Sequence, residues 1–529
     1  MVRRWVLTLG LLMWALGVGN TARAQGASGD RIALVIGNAA YADNPLPNPK
    51  NDAKAVAELL SRAGFVVDVR TDTSRAELLQ AITRFGQSLR EPKVRLALFY
   101  YAGHGFQQDW RNYLVPVDAK VQLAADVPAQ TVDVSELLRQ MNSARGRNYL
   151  VILDACRDDP FAGSYRPALK GLSQFDAPVG SLLAYATAPG QTAFDGSRGG
   201  NGLYTKHLVR ELGVADSSVE DALKRVRLNV RLESRGRQIP WELASLEETV
   251  FLFPQAQAQR KLSDAEREAR FERELKDWLQ VRQGTDILQL AAFIRNFPSG
   301  NTSELAQSRL SRLLAAEIEQ AARPIPAAPT TTLAAPAPAA PAQVPPTPHF
   351  SGLAEHRRDY RVGDVFETRT VERVGGKARS QTLRVTAVDA GADRVEFNQG
   401  EYVSDLMGNI LANPKGLMST PRQFYPAELV VGRKWRTEFK QARPSGLTYA
   451  FAYDLRVAAK ETVTVPAGTF EAFRIEATGF NVGLSAYIKR TIWVVPGVDA
   501  DIAHAVYLRQ RNGFVELDER QELVAYPKR

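Results

Sequence analysis

Two residues that could carry out nucleophilic catalysis, His104 and Cys156, each follow an apolar run of sequence. RLALFYYAG leads into His104, and NYLVILDA leads into Cys156. A cysteine thiolate is a strong nucleophile, and an imidazole can take up the thiol proton and return it to a leaving amine. The tetrahedral intermediate also needs N–H donors, for which the backbone groups of Gly105 and Cys156 are candidates. The pattern predicts a Cys-His dyad, if the fold brings the two side chains together.

Both apolar runs have the composition of buried parallel strands, rich in β-branched and aromatic residues and ending abruptly in glycine or charge. Open α/β sheets bind ligands beyond the carboxyl ends of their strands, which is where both residues would emerge. Strand-like and helix-like segments alternate from residue 31 to a last predicted strand at 249–253, and Asn51 or Asp52 is predicted to cap the first helix. This alternation predicts a parallel sheet with helices on both faces.

Each of the two residues also has a less specific interpretation. Cys156 is the only cysteine of the chain, so it cannot form an intrachain disulfide, and a lone cysteine often fills space in a core. The charged sequence at 157–160 instead indicates a loop at a strand end and favours a reactive thiol. A purely structural role for His104 is the corresponding alternative for the imidazole.

These motifs occur together with several other recognisable segments. His104 in YAGHG precedes Cys156 in DAC by 52 positions (156 − 104), and RIALVIGNAAY, the NDA at 51–53, YATAPG and the RQIPWE at 237–242 accompany them. Residues 30–254 thereby resemble the caspase-like cysteine peptidases, specifically the bacterial metacaspase and orthocaspase branch. The resemblance implies an α/β caspase-like sandwich in which Cys156 is the nucleophile and His104 the general base and acid.

The resemblance also implies a substrate pocket at Asp52 and Asp154, the positions that match the acidic pocket of metacaspases. The segment 46–50 lacks the arginine with which animal caspases hold a substrate aspartate. Cleavage after Arg or Lys is therefore predicted, with Arg preferred because a guanidinium can bind a carboxylate through two hydrogen bonds. Ala102 replaces a serine common in metacaspases and leaves the pocket one polar group short. Alternatively, Asp52 only caps a helix and Asp154 only orients a loop.

No cofactor is predicted for this chemistry. Asp158 and Asp159 could bind calcium, which some metacaspases require, although adjacent carboxylates on a loop are more often solvated. His207 lies within a predicted helix and is interpreted as structural, and His504 is interpreted as an ordinary surface histidine.

The first 24 residues are predicted to be a signal peptide. Arg3 and Arg4 precede an apolar core at 5–18 and a small-x-small cleavage site at 22–24. The alternative is an uncleaved anchor, but the apolar run is short for a spanning helix. No later run approaches that length, so a periplasmic or secreted protein without a stable membrane span is expected.

Three further regions follow the first domain, so the fold class is multidomain. Residues 262–322 are predicted to be a short helical segment, either a tetratricopeptide-like helix pair or a spacer. Residues 323–349 form a Pro/Ala-rich linker, and 350–529 an all-β C-terminal domain. VTVPAGTFEAFRIE and WVVPGV in the last region resemble a β-rich module of exported bacterial proteins, related to curved-sheet lipoprotein-carrier-like folds.

The charge balance gives no support to nucleic-acid binding, because 67 basic and 58 acidic residues are spread along the chain without a basic stripe. The leading hypothesis is an endopeptidase acting on proteins or peptides, with self-cleavage conceivable at Arg166, Lys170 or Arg198. The alternative is a catalytically inactive caspase-like scaffold that binds protein partners through its helical and β regions.

Overall fold

A computed structural model of the chain describes residues 29–528, with gaps at 110, 145, 157–160, 162, 168–170, 174–179, 189–192, 195–198, 247, 255–262, 323–353, 374–375, 482–485 and 512. Of Cys156 it describes the backbone alone. The predicted signal peptide, the whole of the predicted linker, and the residues Asp158, Asp159, Lys170 and Arg198 lie outside the described residues.

The N-terminal unit is built on one eight-stranded mixed sheet. Its strands are β1 (Arg31–Gly37), β2 (Val66–Thr71), β3 (Leu96–Gln108), β4 (Arg111–Leu114), β5 (Val132–Asp133), β6 (Asn148–Cys156), β7 (Ser181–Tyr185) and β8 (Trp241–Ala244). The main strand order is β2-β1-β3-β6-β7-β8, in which only β8 is antiparallel to its neighbour, and β4 pairs with the end of β3. Its helices are α1 (Pro49–Arg62), α2 (Arg75–Ser88), α3 (Val127–Gln130), α4 (Ser135–Asn142), α5 (Leu203–Leu212) and α6 (Val219–Glu233).

Helices cover both faces of this sheet, as the sequence predicted. Alternate residues of β3 enter two separate cores: Leu98 and Tyr100 pack toward α1, α5 and α6, whereas Phe99 and Tyr101 pack toward α2 and α4. A strand buried on both faces is apolar at every position, which is why the run before His104 shows no polar alternation. The polar chemistry of the sheet is therefore confined to its strand ends.

Two local predictions were wrong. The last strand is β8, not residues 249–253, because Trp241 and Leu243 fill the core beside β7 while Val250 and Leu252 pack in the opposite core. Helix α1 begins at Pro49 after Asn48, and no side chain caps it. Proline suits the first helical position because its missing N–H would lack an intrahelical partner there. Asp52 consequently lies inside the first turn of α1.

The helical region contains α7 (Asp264–Val281), α8 (Ile287–Asn296) and α9 (Ser303–Ala322). Ser263 and Asp286 cap α7 and α8 through their side chains. The region is not an isolated spacer, because Leu290, Phe293 and Leu310 share one hydrophobic core with Leu228 of α6 and with residues of the C-terminal domain. None of the described helices is long and apolar enough to cross a bilayer.

The C-terminal domain is a closed antiparallel barrel of twelve strands, in which β22 pairs with β10. The resemblance noted in the sequence implied a curved β-sheet, and here the sheet closes on itself. The barrel strands are β10 (Val365–Glu372), β11 (Ala378–Asp389), β12 (Arg394–Phe397), β13 (Tyr402–Ser404), β14 (Ile410–Asn413), β15 (Gly416–Met418), β17 (Lys434–Ala442), β18 (Thr448–Val465), β19 (Gly468–Asn481), β20 (Ala486–Val494), β21 (Asp501–Arg509) and β22 (Val515–Ala525). A separate pair consists of β9 (Ala354–Glu355) and β16 (Glu428–Leu429).

Ion pairs link the barrel to the regions before it. Glu304 of α9 pairs with Arg433 at 2.6 Å and accepts a hydrogen bond from the backbone N–H of Ala427. Arg227 of α6 pairs with Glu428. These partners are largely buried, so each would be costly to leave unpaired.

Candidate active site

The candidate active site lies where the neighbouring strands β3 and β6 end. Ala102 pairs with Asp154 and Gly105 pairs with Cys156, so two residues of β3, Gly103 and His104, lie opposite the single residue Ala155. This extra residue is a β-bulge, which bends a strand and redirects a side chain. The backbones of His104 and Cys156 thus lie side by side at the carboxyl edge of the sheet, as the sequence predicted.

The His104 ring is fully buried and held by its surroundings. Its Nε2 lies 2.8 Å from the carbonyl oxygen of Asn44, and the Tyr41 ring packs against it with centroids 4.4 Å apart. A carbonyl can only accept a hydrogen bond, so this contact assigns the proton of the neutral ring to Nε2. Nδ1 is therefore the nitrogen that can act as a base.

The backbone of His104 is fixed as tightly as its ring. Its N–H donates to the Tyr41 hydroxyl at 2.9 Å, and its carbonyl accepts from the Tyr101 hydroxyl and from the N–H of Val115, both at 3.0 Å. The Tyr41 hydroxyl in turn donates to the carbonyl of Val115. These bonds hold the bulge in one conformation.

The glycines on either side of His104 permit close approach. A Cβ at Gly103 would lie 2.7 Å from the Tyr41 hydroxyl and 2.8 Å from that of Tyr101. A Cβ at Gly105 would lie 2.9 Å from both the Cβ and the carbonyl oxygen of Ala155. Any larger residue at either position would push β3 away from its neighbours. Glycine is thus required here by packing, whatever else the Gly105 N–H does.

The two carboxylates predicted to bind substrate are both buried at this edge of the sheet, with Asp52 1% and Asp154 2% exposed. Asp52 Oδ1 accepts from the N–H of Gly202, the residue before α5, at 2.9 Å. Asp52 therefore holds the residue that precedes α5 and does not cap its own helix.

Asp154 is bound by a short hydrogen-bonded chain. Its Oδ2 accepts from the Thr205 hydroxyl at 3.0 Å, and the Thr205 and Tyr100 hydroxyls are 2.6 Å apart. Because Thr205 has one proton and donates it to Asp154, Tyr100 must donate to Thr205. Burial raises the pKa of Tyr100 well above its usual value, and the charges of Asp52 and Asp154 raise it further. The negative charges of Asp52 and Asp154 therefore both raise the pKa of the same phenol, that of Tyr100.

The other histidines differ in their surroundings. His207 is buried in α5 with its Nε2 2.8 Å from Glu233, which agrees with the structural role expected of it. His504 was expected on the surface, and that was wrong: it lies partly buried in β21, 3.4 Å from a guanidinium nitrogen of Arg490. Strand alternation does not reveal which face of a closed barrel is inside, so the partial burial of His504 could not be predicted from it.

Comparison with known proteins identifies the N-terminal unit. Residues 30–251 match the family model described as the caspase domain. After this similarity we refer to residues 30–251 as the caspase domain. The caspase domain also matches mucosa-associated lymphoid tissue lymphoma translocation protein 1 of human and its homologue of mouse, each 28% identical over 211 residues. That match covers 39% of this chain and 24% of either relative, so the chain spans about a quarter of the length of these curated relatives.

Sequence reasoning missed the residues that hold the site together. Tyr41 and Asn44 come from the loop after β1, and Thr205 from α5, so their distance from His104 and Asp154 in sequence concealed their contacts. Asn44 contributes only a backbone carbonyl, for which no side-chain pattern exists. Thr205 is an ordinary helical residue by type, and only the fold shows that it lies beside Asp154.

Proposed function

We propose that the caspase domain is a cysteine endopeptidase that uses Cys156 as nucleophile and His104 as general base and acid, and cleaves after Arg or Lys. The observation that carries this proposal is the bulge in β3. It brings His104 beside the end of β6 with Nε2 bound to the carbonyl of Asn44, which leaves Nδ1 as the proton-accepting atom.

In the proposed reaction, His104 Nδ1 takes the thiol proton of Cys156 and the thiolate attacks the scissile carbonyl carbon. The backbone N–H groups of Gly105 and Cys156 donate to the resulting oxyanion. The C–N bond breaks as His104 returns its proton to the amine, which leaves a thioester on Cys156. Water, deprotonated by His104, then hydrolyses the thioester and regenerates the thiol. No cofactor takes part in these steps.

The basic specificity is proposed from the buried carboxylates. Asp52 and Asp154 are held by the N–H of Gly202 and the hydroxyl of Thr205, donors that orient a carboxylate without removing its charge. A substrate guanidinium could bind such carboxylates through paired hydrogen bonds, and an ammonium would bind as a point charge. A substrate aspartate would be repelled.

The test is hydrolysis of fluorogenic peptide amides ending in Arg, Lys or Asp, by the wild-type chain and by Cys156→Ala, with and without calcium. We expect turnover of the Arg peptide first, then Lys, and none with Cys156→Ala. Cleavage after Asp alone would refute the pocket while retaining the dyad. No turnover of any peptide under any condition would favour the inactive scaffold. Turnover only with calcium would indicate that the carboxylates at 158 and 159 bind calcium.

Export is a separate part of the proposal. Residues 1–24 would direct the chain across the inner membrane, and cleavage would leave Gln25 as the first residue of a periplasmic or secreted protein. Expression in a Gram-negative host, fractionation and N-terminal sequencing test this directly. Recovery from the membrane fraction with residue 1 intact would support the uncleaved anchor instead.

A further inference from the structure

Two arginines lie close together inside the C-terminal barrel. Arg490 lies on β20 between the buried Ile488 and Ile492, on the face that these side chains share. Arg422 precedes β16 on the loop from β15. Both guanidinium groups approach the same aromatic ring, because their central carbons are 5.7 Å and 5.0 Å from the centroid of Phe424.

The charges of these arginines are not neutralised by the barrel. In the part of the chain that the structure describes, neither guanidinium forms an ion pair, and Arg422 Nε is buried without a hydrogen-bond partner. Arg490 makes only long contacts, at 3.4 Å, to the Tyr453 hydroxyl and to His504 Nε2. A partly buried cation without an anionic partner still costs stability, so a fold that retains two of them invites a reason beyond stability.

The carboxylates nearest to the pair are already engaged. Asp501 binds Arg358 at 2.6 Å and accepts from the Tyr425 hydroxyl. Asp405 accepts from the backbone N–H groups of Met407 and Asn409 and from the Asn409 side chain. Among the described residues, the barrel therefore pairs its interior Arg358 with Asp501, whereas Arg422 and Arg490 have no anionic partner.

The electrostatic field inside the barrel reflects this imbalance. Burial, together with the charge of Arg490, lowers the pKa of Arg422 to about 10. Burial and Arg490 likewise lower the pKa of His504 to about 4, and Arg422 contributes to the same shift. The region would thus stabilise a negative charge and disfavour a positive one.

The surroundings of the two arginines are apolar but not sealed. Phe439, Tyr453 and Ile492 belong to the buried core around them, whereas Arg422, Arg490 and His504 retain partial contact with solvent. We propose that the barrel interior binds a small organic anion, a carboxylate or phosphate ester with an apolar body, whose negative group lies between Arg422 and Arg490. This site is independent of peptidase activity.

The test uses the full chain carrying Cys156→Ala and isothermal titration with phenyl phosphate, benzoate, inorganic phosphate and benzylamine. We expect phenyl phosphate or benzoate to bind, inorganic phosphate to bind at least tenfold more weakly, and benzylamine not to bind. Whichever of the first two binds more tightly identifies the head group. No binding of either at millimolar concentration, or equal binding of benzylamine, would overturn the proposal.

Variants locate the site. Arg490→Gln should weaken binding about tenfold or more, the loss expected for one charge-assisted hydrogen bond. The matched control is Arg456→Gln, since Arg456 lies exposed on the barrel exterior and pairs with Glu476, and it should change affinity less than twofold. Equal effects of the two substitutions would overturn the site. If Arg490→Gln does not fold, the conservative Arg490→Lys, which retains charge but not the guanidinium, should still weaken binding, and unchanged affinity would overturn the site as well.

Discussion

The caspase domain and the barrel place their polar groups in opposite parts of a sheet. In the caspase domain both faces of the sheet are buried under helices, and His104, Asp154 and the backbone of Cys156 lie at the strand ends. In the barrel the sheet encloses an interior, and Arg490 and His504 lie in the middle of their strands. The two candidate sites also differ in sign, because one contains the carboxylates of Asp52 and Asp154 and the other the guanidinium groups of Arg422 and Arg490.

This difference shows how each architecture accommodates charge. A parallel sheet under helices has no polar interior, so function must lie at its edge, where loops can supply partners such as Asn44. A closed barrel has inward positions along every strand, and a few of these can be polar without disrupting the pairing of the strands. If the comparison is right, changes in one region should leave the function of the other intact.

The largest effect should come from His104→Ala. It removes the proposed base and acid, so the rate of Arg-peptide hydrolysis should fall at least about 10³-fold, while binding of phenyl phosphate by the barrel is unchanged. Steady-state kinetics of peptide hydrolysis and titration with phenyl phosphate, on the same preparation, check both parts of this prediction. His207→Asn is the control, because it removes the other histidine of the caspase domain, and it should retain activity within a few-fold. Equal losses in the two variants would point to a folding defect and against the dyad.

A smaller loss is expected for Asp154→Asn. Asparagine retains the shape and can still accept from Thr205, but it removes the charge that would bind a substrate guanidinium. A hydrogen bond to a charged group contributes about 1.5–3 kcal/mol, so kcat/KM for the Arg peptide should fall about 10- to 100-fold.

Thr205→Val tests how much the orientation of the Asp154 carboxylate contributes to activity, separately from its charge. It removes the donor to Asp154 and retains the negative charge, so its effect should be smaller than that of Asp154→Asn. The ratio of Arg to Asp peptide cleavage is the decisive measurement. If Asp154→Asn lowers cleavage of every peptide by the same factor, Asp154 orients the strand end and does not bind the substrate side chain.

The same contrast explains what the sequence could predict. Residues at strand ends follow uninterrupted apolar runs and stand out, so the positions of His104 and Cys156 at the edge of the sheet were predicted together with the sheet and its helices. Asp154 and Asp52 were proposed from the family resemblance. The contact of Asp52 with the N–H of Gly202 could not be predicted, because Gly202 lies far along the chain.

The barrel was predictable as β structure but not as a site. Alternation of apolar and polar residues is the same for an inward and an outward face, so Arg490 inside could not be told from Arg456 outside. The prediction that His504 is an ordinary surface histidine was wrong for this reason. Closure of the barrel depends on pairing of β10 with β22, a contact between the two ends of the domain that no local pattern encodes.

A further prediction concerns the stability of the barrel toward acid. Burial and neighbouring arginines lower the pKa of His356 to about 3 and that of His504 to about 4, from an ordinary value near 6.5. Between these values the unfolded chain binds protons that the folded barrel does not. The contribution of these two histidines should therefore be fully present above pH 6.5 and decrease as pH falls from 6.5 toward 4, by up to about 1.4 kcal/mol per pH unit for each histidine.

Urea unfolding from pH 7.5 to 4.5, followed by barrel tryptophan fluorescence, measures this slope. His504→Asn should reduce the change of the unfolding free energy with pH by the contribution of one histidine. His207→Asn, in the caspase domain, should leave the unfolding transition of the barrel unaffected. A slope that His504→Asn leaves unchanged would show that the folded barrel does not disfavour a positive charge at His504, which would remove the contrast with the caspase domain.

The smallest effect is expected for Ala102→Ser. Ala102 lies on β3 directly opposite Asp154 and is 1% exposed, so a hydroxyl there would add one polar group beside the buried carboxylates. A net hydrogen bond contributes about 0.5–1 kcal/mol, and we expect kcat/KM for the Arg peptide to rise roughly two- to fivefold. Ala97→Ser, lower on the same strand and inside the core, is the control and should give no gain. A loss of activity with an unchanged melting temperature would mean that the substrate side chain does not enter between Asp52 and Asp154, and that the acidic edge of this sheet serves the fold alone.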